Sequence, residues 1–270
     1  MKKLFTILFL LAAFISNAQR TYFGVNNNYV VPEDASPVPT GTNPVTNGLI
    51  LYLDATRSAS YAGTGSTWSD LSTQNNTATL IGDPTYTARP AASFTFTNNK
   101  YALSSNLISS ISTNATFIAW INPSQAQTTY NGIIVSRAGY ADATVNATGL
   151  NFNQNNSIGY VWNDIPATYN WNSGVQIPNN QWSMVALTIN STKATVYLCN
   201  SSGTTTKAEN NVSHPALSGN LKFYVALDPV TVVPDRALKG KFGVAMVYSN
   251  TLTQTDIEAI FNAQKAAFGL

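Results

Sequence analysis

The sequence predicts an all-β protein, a two-sheet antiparallel β-sandwich with one short C-terminal helix. Short apolar runs recur from Gly48 onward between clusters of Gly, Asn, Pro and Ser, as strands do between turns. One of these runs alternates with period two, which divides its side chains between two faces of a strand. The two sets are Leu221, Phe223, Val225 and Leu227 on one face, and Lys222, Tyr224, Ala226 and Asp228 on the other.

Ten apolar runs are candidate strands, and ten or more strands joined by turns indicate a sandwich. They read "LILYLDA", "SFTFTNN", "TFIAWINP", "GIIVSRA", "GLNFNQ", "SIGYVWND", "WSMVALTI", "ATVYLCN", "LKFYVALD" and "KFGVAMVYS". A single helical pattern follows them. Thr253 is its predicted N-cap, with Asp256 three residues on, and Gly269 follows its end. The apolar stripe of this helix, predicted to cover an edge or end of a sheet, is Ile257, Ile260 and Phe261.

Three segments divide the chain. Residues 1–18 have the pattern of an export signal, with two lysines, an apolar run and small residues at the cleavage position. The apolar run is shorter than the roughly 20 residues that span a bilayer, so we expect an exported protein without membrane insertion after signal removal. Residues 19–46 contain four prolines and are predicted to form an extended leader or linker. The folded domain is expected over residues 47–270.

Charge excludes two classes of partner. Removal of Lys2 and Lys3 from the 14 basic residues leaves 12, equal to the 12 acidic residues. Nucleic acids and anionic lipids are bound by clustered Lys and Arg, and a near-neutral chain with 10% charged residues offers no such cluster. We therefore expect no nucleic-acid partner.

Four passages resemble the concanavalin A-like lectin/glucanase jelly roll in its laminin G-like form, as it occurs in exported proteins of the Bacteroidetes group. They are "GLILYLDATRSASYAGTGSTWSDLS" (48–72), "TFIAWINP" (116–123), "GYVWNDIPATYNWNSGVQIPNNQWSMVALTINSTKATVYLCN" (159–200) and "GKFGVAMVYSNTLTQTDIEAIFNAQKAAFG" (240–269). The resemblance implies a jelly-roll sandwich that spans nearly all of the expected domain.

Hydrolytic chemistry is disfavoured by the spacing of the acidic residues. A glycosidase of this fold presents two carboxylates from one strand, because residues two apart on a strand point the same way. The i, i+2 acidic pair of this chain, Asp256 and Glu258, falls on the predicted helix instead. The lone His214 precedes a proline in a loop-like stretch and is predicted to be a surface or hydrogen-bonding histidine. We therefore predict that the protein is not an enzyme.

The stretch 159–182 holds three of the five tryptophans and raises the possibility of a sugar site. Sugars stack their CH faces on aromatic rings and pair their hydroxyls with amides. Trp162, Asn163, Tyr169 and Trp171 lie in a loop-like, proline-broken segment, and they are the candidate ligand-binding residues. The alternative is that this hairpin folds back and buries its rings over the sheet.

The remaining tryptophans are predicted to be structural. Trp120 and Trp182 occupy or begin apolar strands, and both match core positions of the family that the chain resembles. Trp68 is expected to pack under its turn, with Asp70 capping nearby backbone amides.

Calcium is the ion that the resemblance implies, held at one rim of the sandwich by aspartate and backbone carbonyls. Asp228 and Asp164 are the candidate ligands, because hard carboxylate oxygens suit this cation. The alternative is that each is a turn carboxylate, since Ca²⁺ needs six or more oxygens that the sequence does not assemble.

These observations together predict an exported, non-catalytic binding module that binds glycan or a cell-surface protein through loops at one rim, with calcium as the candidate ion. A structural or adhesive component of the cell surface or of an extracellular assembly is the alternative, and a glycoside hydrolase is the least favoured class. The sequence leaves open whether the protein is periplasmic, extracellular or on the cell surface.

Overall fold

A computed structural model describes residues 41–105, 111–137, 147–217, 222–230 and 236–270. The predicted signal peptide and the leader up to residue 40 lie outside these residues, as does Leu221 of the alternating run. The strands in chain order are β1 (Leu49–Asp54), β2 (Thr67–Trp68), β3 (Ala78–Ile81), β4 (Thr85–Thr87), β5 (Ser93–Phe96), β6 (Tyr101–Ser104), β7 (Ala115–Pro123), β8 (Gly132–Ser136), β9 (Thr148–Phe152), β10 (Ile158–Trp162), β11 (Ser183–Asn190), β12 (Lys193–Cys199), β13 (Thr206–Asn210), β14 (Phe223–Val225) and β15 (Gly240–Tyr248). Two α-helices are described, α1 (Pro166–Tyr169) and α2 (Gln254–Gln264).

The strands form two antiparallel sheets, which confirms the predicted sandwich. The eight-stranded sheet has the order β13-β12-β11-β7-β15-β5-β4, and β1 pairs with β15 beside this path. The seven-stranded sheet has the order β10-β9-β8-β14-β6-β3-β2. Strands adjacent in space are often distant in sequence, as in a jelly roll.

The hydrophobic core lies between the two sheets and is rich in aromatic rings. Phe117 of the eight-stranded sheet meets Phe223 of the seven-stranded sheet edge to face, with ring centroids 6.0 Å apart. Trp68 is fully buried and contacts Phe94 at 4.8 Å between centroids, as predicted for this residue. Asp70 also behaves as predicted, because its Oδ1 accepts a hydrogen bond from the Tyr52 backbone N–H at 2.8 Å.

The C-terminal helix covers the outer face of the eight-stranded sheet, and this confirms a helix at the predicted place. Thr253 and Asp256 form a reciprocal capping box at its start. Trp120 projects from β7 towards the helix, stacks on Phe268 with centroids 4.2 Å apart, and donates its Nε1–H to Gln264 Oε1 at 2.7 Å. Trp120 is therefore buried as predicted, although beneath the helix and not between the sheets. Trp182 is half-buried against the same cluster.

The folded contacts begin before residue 47, where the sequence suggests the domain boundary. Asn43 donates its side-chain N–H to the Tyr248 hydroxyl at 2.9 Å, and this hydroxyl donates to the Val45 carbonyl at 3.1 Å. Residues 41–46 of the predicted linker therefore include part of the packed structure. No helix among the described residues is long and apolar enough to cross a membrane.

Candidate functional site

A cavity of about 340 Å³ lies on the outer face of the seven-stranded sheet. Asn151 of β9 and Val161 of β10 line it, and both alternate with residues that point into the core. The cross-strand partner of Asn151 is Gly159, and that of Val161 is Gly149. Both positions need glycine, because an added Cβ would overlap Asn151 Oδ1 at Gly159 and the Ile134 carbonyl oxygen at Gly149.

Loops and strand ends form the walls of the cavity. Tyr130 comes from the β7–β8 connection, Arg137 follows β8, and Asp164 lies in the turn after β10. The short helix α1 ends at Tyr169. The residues that complete the wall lie after β14 and before β15, and they are Asp228, Val230 and Arg236.

Two arginines converge on Asp228 in the wall of the cavity. Arg137 Nε lies 3.0 Å from Asp228 Oδ1, and Arg137 Nη2 lies 3.2 Å from Oδ2. Arg236 Nη1 also donates to Oδ2 at 3.0 Å. Arg137 further extends towards Asp164, with Nη1 3.5 Å from Oδ1. The side chains of Arg137 and Asp228 are 6% and 2% exposed, so this pair is a buried, two-point ion pair.

The donor set at this position does not fit calcium, which corrects the prediction for Asp228 and Asp164. The structure brings the two aspartates together, but it does so around the Arg137 guanidinium. A Ca²⁺ ion bound to the Asp228 oxygens would displace or repel two guanidinium groups that already use both of them. Within the described residues, no group of three or more His, Cys, Asp or Glu side chains could hold a metal ion.

Asp164 belongs to a tight turn that directs its carboxylate to the cavity. Ile165 N–H donates to the Trp162 carbonyl at 3.0 Å, and the two central residues, Asn163 and Asp164, have φ of 51° and 52°. Positive φ at both central positions defines a type I′ turn, which Asn and Asp tolerate better than other non-glycine residues. Asp164 Oδ2 accepts the Ala147 backbone N–H at 2.8 Å, which fixes the orientation of the side chain.

Two tyrosines supply the aromatic surface of the cavity. Tyr130 and Tyr169 meet edge to face, with centroids 6.2 Å apart and an interplanar angle of 81°. The Arg236 guanidinium carbon lies 4.8 Å from the centre of the Tyr130 ring, a distance typical of cation–π contacts. Tyr130 has a φ of 72°, which is unfavourable for a large side chain. Backbone conformations of this kind concentrate at binding sites.

Asn151 presents an unpaired amide to the cavity. The residue as a whole is 2% exposed, it lines the cavity, and its side chain makes no hydrogen bond within the described part of the chain. A ligand hydroxyl in the cavity can therefore hydrogen-bond to this amide.

Of the four predicted ligand-binding residues, only Tyr169 lines the cavity. Trp162 is fully buried, donates its Nε1–H to the Pro215 carbonyl at 2.8 Å, and has no surface on which a ligand could stack. The structure therefore does not place Trp162 where a ligand could contact it; the ring is buried, as in the alternative, but on the core-facing side of β10 and not by a hairpin folded back over the sheet. Trp171 is half-buried with its ring edge on Tyr160, at 5.7 Å between centroids, outside the cavity.

Asn163 likewise does not line the cavity. Its backbone N–H donates to Thr148 Oγ1 at 3.3 Å, and its side-chain oxygen is enclosed without a partner in the described structure. The residue shapes the turn that orients Asp164, which is a structural contribution and not the predicted ligand contact.

Six cavity residues were not among the sequence candidates; two are valines, and of the other four two carry a recognisable signal. Arg137 directly follows the apolar run "GIIVS", and an arginine at the end of a buried strand requires a buried carboxylate. Tyr130 precedes Asn131-Gly132, a turn dipeptide that often positions a functional side chain at a strand end. Asn151 and Arg236 have no comparable local signal.

A further buried carboxyl group, that of Asp54, lies elsewhere in the fold and is hydrogen-bonded there. Burial raises the pKa of the Asp54 carboxyl, against hydrogen bonds from Thr56 and Tyr52. Tyr52 donates its hydroxyl to Asp54 Oδ2 at 2.8 Å, and Thr56 donates its N–H to Oδ1 at 2.9 Å. These bonds hold the turn after β1, so the described structure assigns Asp54 to the fold and not to the cavity.

Comparison with known proteins agrees with this architecture. A laminin G-like family model, described as concanavalin A-like lectin/glucanases superfamily, matches residues 96–258, more than half of the chain. The chain therefore belongs to the concanavalin A-like lectin/glucanases superfamily, as its sequence motifs suggest. No curated protein sequence matches it.

Similar solved structures are domains and enzymes that act in glycan chemistry. Domain 4 of the extracellular family 43 arabinanase AbnA from Geobacillus stearothermophilus, solved with arabinotriose, has a TM-score of 0.56 at 15% identity and covers 82% of this chain and 100% of that domain. A Trypanosoma rangeli sialidase has a TM-score of 0.55 at 16% identity, over 82% of this chain and 33% of the sialidase. A family 54 α-L-arabinofuranosidase has a TM-score of 0.53 at 10% identity, over 83% of this chain and 60% of that chain. At these low identities, the structural similarities show that the fold is shared.

Proposed function

We propose that this protein is an exported, non-catalytic carbohydrate-binding module whose ligand enters the cavity on the seven-stranded sheet. The observation that carries the proposal is the combination in one cavity of two aromatic rings and the Asn151 amide, which makes no hydrogen bond within the described structure. Protein sites for sugars combine an apolar face with a few oriented polar groups. At about 340 Å³, this cavity falls at the lower end of the roughly 300–1,000 Å³ typical of small-molecule sites.

Each side of a sugar ring has a partner in this cavity. The CH face can pack on Tyr169 or Tyr130, whose rings meet at nearly a right angle and thus offer two differently inclined surfaces. Hydroxyls can donate to Asp164 and exchange hydrogen bonds with the Asn151 amide. Arg236 has guanidinium N–H groups beyond the Nη1 that is bonded to Asp228, and these can donate to a ring or hydroxyl oxygen.

The comparisons support the class of ligand. One structurally similar domain was solved with arabinotriose, and the other similar structures belong to a sialidase and an arabinofuranosidase. Together with membership of a lectin and glucanase superfamily, these names favour a glycan ligand for this chain.

The ion pairs in the cavity favour binding without hydrolysis. A glycosidase needs one carboxyl group that carries a proton to the leaving oxygen and a second that acts as nucleophile or base. Asp228 accepts from two guanidinium groups, and Asp164 accepts from Arg137 and from the Ala147 N–H. Protein donors therefore already engage both carboxylates, and the described cavity holds no pair of free carboxyl groups that face each other across it.

Glycan arrays followed by titration calorimetry with the purified protein test the proposal. We expect Tyr169→Ala to weaken binding by at least about tenfold, equivalent to about 1.4 kcal/mol, because it removes a stacking surface. Trp171→Ala is the matched control, since that ring lies outside the cavity. Loss of binding in the Trp171 variant with retention in the Tyr169 variant would place the ligand elsewhere. Release of reducing sugar from bound polysaccharide would contradict the non-catalytic role.

Export is the second part of the proposal and rests on the pattern of residues 1–18. We expect the mature protein recovered from an expressing cell to begin near Gln19, and N-terminal sequencing measures this. Retention of the full N-terminus in the cytoplasm would contradict export while leaving the binding proposal intact.

A further inference from the structure

We infer that the cavity selects an uncharged, hydroxyl-bearing sugar residue and discriminates against sugars that carry a carboxylate. This inference rests on the proposed function and concerns the same cavity. It follows from the charges, the exposure and the hydrogen bonding of the residues that line it.

The described lining residues include equal numbers of positive and negative groups. The arginines are Arg137 and Arg236, and the aspartates are Asp164 and Asp228. Both oxygens of Asp228 accept from guanidinium groups, so its charge is compensated within the protein. A cavity with balanced charge gives no net attraction to an anion or a cation.

The most exposed of these four charges is negative. The Asp164 side chain is 30% exposed, whereas those of Arg236 and Arg137 are 26% and 6% exposed. Of the two arginines among the described lining residues, Arg236 is the more exposed, and its guanidinium is already held between Asp228 and the Tyr130 ring. An acidic sugar would therefore have to compete with Asp228 for Arg236 while facing the Asp164 carboxylate.

The amide of Asn151 is matched to a hydroxyl. It offers N–H donors and a carbonyl acceptor, and neither is bonded within the described structure. Sugar hydroxyls both donate and accept, so a pair of them can satisfy both ends of the amide. A carboxylate only accepts, and it would leave the Asn151 oxygen beside a negative charge without a donor.

Calorimetry with matched oligosaccharides tests the inference. The probes are neutral arabino-, xylo- and galacto-oligosaccharides on one side, and oligogalacturonate and sialyllactose on the other. We expect a neutral probe to bind at least about tenfold more tightly than any acidic probe. We also expect its affinity to change less than about twofold between 0.05 and 0.5 M NaCl, because screening acts on charge–charge attraction.

Three variants assign the selectivity to named residues. Asn151→Ala should weaken neutral binding about tenfold or more, whereas Gln181→Ala, which removes an exposed amide elsewhere, should leave it unchanged. Asp164→Asn should raise the affinity for acidic probes relative to neutral ones, because it removes the exposed negative charge.

The outcomes separate this inference from the proposed function. The selectivity would be overturned if acidic probes bound with an affinity equal to or higher than that of neutral probes and lost this binding in Arg236→Gln. The cavity would then still be a carbohydrate site. Tight neutral binding that is unchanged in Asn151→Ala would overturn the role of the amide. Absence of binding to every carbohydrate probe would remove the proposed function, and with it this inference.

Discussion

The guanidinium of Arg137 forms a two-point ion pair with the carboxylate of Asp228, with Nε 3.0 Å from Oδ1 and Nη2 3.2 Å from Oδ2, although the two residues are 91 positions apart. This pair joins the end of β8 to the segment after β14 on the outer face of one sheet. Since both side chains are buried, neither charge has enough water to replace its partner.

Removal of the Asp228 carboxylate is expected to destabilise the fold strongly. Asp228→Ala removes the carboxylate that pairs with the buried Arg137 guanidinium at two points, and the Asp164 carboxylate is more distant, so we expect a loss of about 3–5 kcal/mol. Urea unfolding followed by tryptophan fluorescence measures this loss. The exposed Lys193–Glu209 pair provides the control, with both side chains 39% exposed. We expect Glu209→Ala to cost about 1 kcal/mol or less; equal losses in the two variants would contradict the role of burial.

The close crossing of two backbone segments at Gly132 is the second structural requirement of the cavity. A Cβ atom added at Gly132 would overlap the backbone of Leu227 and Asp228. Gly132→Ala is therefore expected to displace Asp228, to lower stability by about 1–3 kcal/mol as overpacking does, and to weaken ligand binding. Thermal unfolding and titration calorimetry of the same preparation measure both effects.

Gly203 is the matched control for this substitution. It has a φ of 73° in the β12–β13 turn, and an added Cβ meets no atom within 4 Å. Gly203→Ala should cost about 1–2 kcal/mol from the left-handed backbone alone, and it should leave binding unchanged. Full binding by the Gly132 variant would show that the segment after β14 does not define the cavity.

The architecture could be predicted because it depends on local periodicity. Alternation along Phe223–Val225, the Thr253 cap and the apolar stripe of α2 are each visible within a few residues, and each reappears in the structure. The same alternation also explains Trp162, which shares its core-facing side of β10 with Ile158 and Tyr160. Its assignment as a ligand residue gave more weight to the loop-like residues after it than to the strand before it.

The cavity could not be predicted in the same way because its residues are brought together by the topology. β14 lies between β8 and β6, so the segment after β14 can reach Arg137 only once the strand order is known. Asp164 and Asp228 were each predicted as a calcium ligand, but the cation that lies between them in the structure is the Arg137 guanidinium. A sequence provides no distances with which to distinguish that arrangement from a metal site.

Trp162 is expected to contribute to stability and not to ligand contact. Trp162→Ala removes a fully buried ring and its hydrogen bond to Pro215, so we expect a loss of about 3–5 kcal/mol. Trp162→Phe retains part of the ring volume and should cost less. Chemical unfolding measures the loss, and calorimetry on the folded Phe variant should give the affinity of the unchanged protein. A large loss of affinity in that variant would restore Trp162 as a ligand residue.

The lone histidine forms part of a buried hydrogen-bonded group. His214 is fully buried, with Nε2 3.0 Å from the Tyr160 hydroxyl, and that hydroxyl also accepts from Asn210 Nδ2 at 2.8 Å. Because Asn210 donates to this hydroxyl, the Tyr160 proton can be donated to His214 Nε2 when the ring proton is on Nδ1. Burial lowers the pKa of His214 from its ordinary value of 6.5, and the Asn190 carbonyl opposes this shift.

Stability is therefore expected to fall in mild acid through His214. Well above pH 6.5 the ring is neutral in both the folded and the unfolded chain and contributes no pH dependence. As the pH falls through 6.5, the ring takes up a proton in the unfolded chain but stays neutral in the folded chain. The free energy of unfolding therefore decreases until the pH reaches the lowered pKa of the folded state. His214→Gln removes this proton uptake. The carboxylates titrate in both proteins, so their contributions cancel when the free energy of unfolding of the variant is subtracted from that of the unchanged protein. Urea unfolding from pH 7.5 to 5 should show a shallower decline for the variant, even if its stability at pH 7.5 is lower. Parallel declines in the two proteins would show that the His214 pKa is not lowered by folding.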